Sequence, residues 1–236
     1  MRACGGNLNT GLRSGKRPGR GQWSQASCAT APTVLVVPLA VNGRNRPSSV
    51  RGCLGNDFTV RNATDDEGRR ASFRILLFSD EFRWRMNSSD AVAHGLARPQ
   101  FTDEMKAVLN SASEIICVGA SSEEIPAGTS FAAGRKLEER RAALRAEKSA
   151  VWVRQVLRNP IPVRKLNVGH HSPTDGEDTS AQRRLVIILV LDQDEGADLD
   201  QALRAAMAGE SVRAPIFESL LTKYSLGAAS SFTWVP

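Results

Sequence analysis

Hydrophobic and polar positions alternate in blocks along the second half of this chain, and the blocks set out the elements. Leu185-Val186-Ile187-Ile188-Leu189-Val190-Leu191 is the longest apolar run, and the acidic turn Asp192–Glu195 ends it. A run of that length without alternation predicts a central strand buried on both faces. Ile115-Ile116-Cys117-Val118 predicts a second, and Arg74-Ile75-Leu76-Leu77-Phe78 a third. Val163 to Val168 sets Val163, Leu166 and Val168 against Arg164, Lys165 and Asn167, the pattern of an edge or half-exposed strand.

Helices fall between these strands. Thr102 reads as an N-cap, with Asp103 and Glu104 in the first turn and Met105, Val108 and Leu109 at i, i+3, i+4. A longer helix runs from about Arg135 to Leu157, stopped by Pro160 and Pro162. Ala142, Ala146, Ala150, Val153 and Leu157 line one face, small enough for the helix to lie close on a sheet. Leu137, Leu144 and Val151 lie opposite, which predicts partial cover on both sides. Leu199, Leu203, Ala206 and Met207 mark a short helix over 198–208, and Ile216 to Tyr224 predicts another helical turn. Strands alternating with helices give an α/β, two-layer α+β sandwich over about Phe73 to Leu191.

Charge divides the chain. Residues 1–56 hold eight basic and no acidic residues, leaving 23 basic against 25 acidic beyond. The basic excess therefore belongs to an arm rich in Gly, Ser, Pro and Arg, a composition that predicts disorder. The rest lacks the basic face of a specific nucleic-acid binder. No stretch reaches the roughly 18–20 apolar residues of a membrane span, and Val34–Val41 is a poor secretory signal. Cys4, Cys28, Cys53 and Cys117 form no disulfide or zinc spacing.

His170-His171-Ser172 invites a hydrolase reading, with Ser172 or Cys117 as nucleophile and His170 or His171 as base. Adjacent residues at a strand end point to opposite sides, however, so two loop histidines are the simpler account. A metal site from His94, His170 and His171 matches no ligand spacing. No catalytic residue, metal or cofactor is assigned. The mixed-sign run from Arg135 to Lys148 reads as a solvated helix face with i, i+4 pairs.

Four motifs in order carry a resemblance. Gly119-Ala120-Ser121-Ser122 follows a strand. Ser149-Ala150-Val151-Trp152-Val153-Arg154-Gln155-Val156-Leu157 lies in the helix. Gly169-His170-His171-Ser172-Pro173 follows the next strand, and Gln182-Arg183-Arg184-Leu185 opens the last. Together they resemble the OmpA-like domain that grips peptidoglycan, whose counterparts read Gly-x-Thr-Asp, Arg-Ala-x-x-Val-x-x-x-Leu, Gly-x-Gly-x-x-x-Pro and Asn-Arg-Arg-Val. The resemblance implies a mixed sheet with helices on one face, placed in the cell envelope or periplasm. In that family an Asp and a helix Arg hold the ammonium and carboxylate of the stem peptide by charge-assisted bonds. In this register the positions are Ser122 and Ser149, both neutral. Glu123 and Glu124 stand in for the acid, Lys148 or Arg145 for the base, and Arg183-Arg184 brace the loop and helix ends.

The division expected is a basic disordered arm or leader over 1–70, the OmpA-like domain over 71–192, and a C-terminal annex of short helices over 193–236. The function implied is a non-catalytic envelope domain associating with the peptidoglycan stem peptide through a diverged site. The alternative is a protein-interaction module reusing the fold, its partner another envelope protein.

Overall fold

The computed structural model describes residues 54–79, 82–92, 99–122, 127–171, 179–208, 223–227 and 232–235. All of them lie in the second of two units of the chain, Pro32–Pro236. The elements are β1 (Leu54–Thr64), β2 (Arg70–Phe78), α1 (Asp103–Leu109), β3 (Glu114–Ser121), α2 (Phe131–Arg154), β4 (Val163–His170), a 3-10 turn (Thr179–Arg183), β5 (Val186–Gln193), α3 (Leu199–Ala208) and β6 (Thr233–Trp234).

The strands form one mixed six-stranded sheet in the order β1-β2-β5-β3-β4-β6. Only β3 and β4, joined through α2, are parallel; every other neighbouring pair is antiparallel. The continuous apolar runs take the inner places, as unalternated strands must. β5 lies between β2 and β3, and every residue of β3 is buried.

Alternate residues feed two cores, one on each face of the sheet. Leu76, Phe78, Ile115, Cys117, Ile187 and Leu189 meet Met105 and Leu109 of α1 and Ala150 and Val153 of α2. Phe73, Ile75, Ile116, Val118, Ile188 and Val190 meet Leu199, Ala202, Leu203 and Met207 of α3. So α1 and α2 share a face, as expected, while α3 packs on the other. The small-residue face of α2 explains its close approach. A Cβ added to Gly119 would lie 2.0 Å from the Ala142 carbonyl and 2.8 Å from the Ala146 methyl.

One expectation is corrected. Residues 54–70 do not belong to an arm: β1 pairs with β2 from Leu54 to Thr64. A bulge between Val60 and Ala63, with Asn62 at φ 55°, places both of those residues in the core three apart. The bulge breaks the two-residue period by which a strand is read. Residues 1–53 lie outside the described residues, as do Ile216, Phe217, Leu220 and Leu221 of the expected C-terminal turn.

Candidate functional site

The carboxyl ends of β3 and β4 adjoin the N-terminal half of α2, the end of an open α/β sheet where ligands are usually held. Ser130 caps α2, its hydroxyl accepting from the Ala133 N–H. From there the helix passes over the end of β3. Ser121 donates from its hydroxyl to the Glu138 carbonyl at 2.9 Å, and the His171 N–H donates to the Ser121 carbonyl at 2.8 Å.

Arg145 is the centre of this end. It is only 1% exposed, and its guanidinium fans out to three backbone carbonyls. Nη1 donates to Ala120 at 2.8 Å, Nε to Ser88 at 2.9 Å and Nη2 to Arg85 at 3.3 Å. The same guanidinium lies 5.7 Å from the ring of Trp84, which stacks on Trp152 at 4.9 Å. The backbone N–H of Trp84 in turn donates to the Arg183 carbonyl at 2.7 Å. Thus Arg145, Ala120–Ser122, Arg183 and the segment Phe82–Val92 come together. Ser122 and Arg183 are buried, and Arg184 is half-buried.

Ser149 is not part of this group. It lies one turn further along α2, buried, with its hydroxyl donating to the Arg145 and Ala146 carbonyls and contacting the Cys117 thiol. An arginine at 149 would have to enter the core. The helix residue that reaches the end of β3 is Arg145. The side chain of Lys148 is half-buried and makes no hydrogen bond or ion pair among the described residues. Glu123 and Glu124 lie outside the described residues.

The solvated reading of the charged run needs correction too. Arg145 and Glu138 are buried, and Glu138 pairs with Arg141. Composition does not distinguish them, because nine of the fourteen residues from Arg135 to Lys148 are charged; a helical wheel centred on the alanines places both near its margins. Trp84, Arg85 and Ser88 carried no sequence signal beyond a lone Trp in a polar stretch.

His170 and His171 are both buried, and they do point apart. His170 Nδ1 lies 3.6 Å from Glu139 Oε1, on the α2 side. The ring of His171 meets Tyr224 edge-on at 5.0 Å, among the side chains of the α3 face. Burial pushes the Cys117 thiol up to about 12, with the Ser149 hydroxyl opposing only in part. Such a thiol is almost entirely protonated at neutral pH and is a poor nucleophile. Ser172 and His94 lie outside the described residues. Among the described residues no group of three His, Cys, Asp or Glu side chains is placed to hold a metal ion. Nor, among them, is any helix long and apolar enough to cross a membrane.

Comparison with family models, with curated proteins and with solved structures finds no match for this chain.

Proposed function

We propose that this chain is a non-catalytic, OmpA-like domain of the cell envelope that acts as a protein-interaction module, its stem-peptide site closed by its own backbone. The observation that carries the reading is the state of Arg145. Its guanidinium sits at the carboxyl end of β3, where the family reads a carboxylate, yet it is turned onto the Arg85, Ser88 and Ala120 carbonyls. Those carbonyls take the place of ligand oxygens. A buried guanidinium held in this way exchanges its partners only by unpairing them, and unpaired buried carbonyls are costly. The neutral Ser122 offers no charge for the ammonium. The parallel β3–α2–β4 unit inside an otherwise antiparallel sheet supports the family likeness. The divergent histidines and the raised thiol of Cys117 support a role without catalysis.

Co-sedimentation with purified peptidoglycan tests the reading. The folded chain is expected in the supernatant at the level of an unrelated control protein. Arg145→Ala is expected to cost at least about 1–3 kcal/mol of stability, since it leaves buried carbonyls unpaired, without changing sedimentation. Salt-sensitive binding that Arg145→Ala abolishes in a folded variant would restore the stem-peptide reading.

A further inference from the structure

The side of β4 away from β3 is covered in two different ways. Near the start of the strand, β6 pairs with Arg164 and Lys165. Near its end the cover is a turn, Tyr224–Gly227, closed by the Gly227 N–H on the Tyr224 carbonyl at 3.0 Å. One antiparallel bridge, between His171 and Tyr224, sets the direction of the turn along the edge. The turn gives the edge two backbone bonds, Ser225 N–H to the His170 carbonyl at 2.9 Å and Leu226 N–H to the Val168 carbonyl at 3.0 Å. The His170 N–H, which a paired strand would meet with a carbonyl, donates instead to the Ser225 hydroxyl at 3.3 Å. Ser225 is exposed, and its hydroxyl donates onward to Glu139 Oε1 at 2.8 Å.

We infer that this edge is a strand-addition site, and that Tyr224–Gly227 is an internal stand-in which an extended segment of a partner protein displaces. The inference rests on the reading above of the chain as a protein-interaction module, and names how the partner is held. A turn presents few backbone groups to an edge, whereas an extended segment pairs with it at every second residue. The incoming segment therefore gains bonds over the turn it removes. A further tie of the turn, from Arg204 Nη1 to the Gly227 carbonyl at 2.7 Å, is made to a group that any extended segment also carries. The edge states what the segment looks like. A Cβ on Gly169, at φ 83°, would lie 2.3 Å from the Ser225 hydroxyl oxygen and 3.0 Å from Leu226. The partner must approach as closely, with a small residue in the place of Ser225. The His171 ring meets buried Tyr224 edge-on at 5.0 Å, and the Tyr224 hydroxyl donates to the Gln182 carbonyl. A segment that lifts Tyr224 out of the core must refill its place, so it carries an aromatic residue there. With an aliphatic residue for Leu226, it reads aromatic, small, aliphatic. Strand alternation then sets the first and third on the α3 face and the second against α2.

Fluorescence anisotropy of a labelled peptide of residues 222–228, titrated with the full chain, reads this directly. Ser225→Pro in the chain puts at the second position of the turn a residue suited to it, but removes the N–H that donates to His170. That variant is expected to bind the peptide at least about tenfold more tightly than the parent chain. A peptide that itself carries Ser225→Pro is expected not to bind. If the chain variant does not fold, the parent decides. Excess peptide is then expected to speed deuterium uptake at the Ser225 and Leu226 amides of the chain, while the His170 amide stays protected. The assay contains no peptidoglycan, so its failure is read apart from the sedimentation result. No binding by the folded variant, or equal binding of the proline peptide, overturns the inference. Where the parent decides, unchanged exchange overturns it.

Discussion

Arg145 and Asp65 show what a single buried charge does in this molecule. Each is held by backbone groups from several elements, so each fixes the relative position of those elements as well as its own. Asp65, in the turn between β1 and β2, accepts from the N–H groups of Glu67, Arg69 and Asp198 and from the Arg69 guanidinium, at 2.8–3.0 Å. The bond from Asp198, at the start of α3, is the largest cause holding its carboxyl down at about 2, against an ordinary 3.8. Since the folded pKa lies below the unfolded one, the ionised carboxylate contributes stability that is fully present above about pH 4. It is lost as the pH falls through that interval toward 2. Asp65→Asn is therefore expected to lower the urea midpoint at pH 7 and to flatten the pH dependence between about 2 and 4. Equal slopes for the two proteins in that window would show that Asp65 does not carry the linkage.

At the scale of elements, the contact between α2 and β3 depends on having almost nothing between them. Gly119 needs its missing side chain for close approach, since a Cβ meets backbone atoms of Ala142 and Ala146 rather than a movable side-chain end. Gly119→Ala is expected to cost at least about 1–3 kcal/mol, the usual range for overpacking, seen as a lower unfolding midpoint with an unchanged slope. Stability within about 0.5 kcal/mol of the parent would mean that α2 slides to accommodate the methyl. The C-terminal segment has an analogous role at the far edge. The N–H groups of Ser225 and Leu226 donate to the His170 and Val168 carbonyls, and the Arg164 guanidinium lies 3.9 Å from the Trp234 ring. These contacts cover the edge that β4 would otherwise present to solvent, a standard safeguard against edge pairing.

For the whole molecule, the folded boundary lies further toward the N-terminus than composition indicates. β1 is the outermost strand, paired along its length with β2 and packed through Val60 and Ala63 against the α3 face. Cleavage within it requires the hairpin to open. Limited proteolysis is thus expected to leave a resistant fragment that still contains Leu54–Thr64. A stable fragment starting between residues 57 and 70 would show that β1 is dispensable.

The sequence by itself determined the elements whose burial is uniform or strongly periodic. β5, β3, the end of β2, α3 and the Thr102 cap of α1 were legible because each follows one local rule, an unbroken apolar run, a 3.6-residue period or a capping hydroxyl. It also placed His170 and His171 on opposite sides, since that follows from the strand period alone. Only the tertiary structure decided which helix residue reaches the end of β3. Ser149 and Arg145 are one turn apart on the same face, and which of them faces the end of β3 depends on where the sheet sets the helix along its axis. Likewise β1 was hidden by its bulge, and the carbonyls of Arg85 and Ser88 carry no signal because every residue has one. What makes those two carbonyls matter is where the chain brings them, across 57 and 60 residues of sequence, to a single guanidinium.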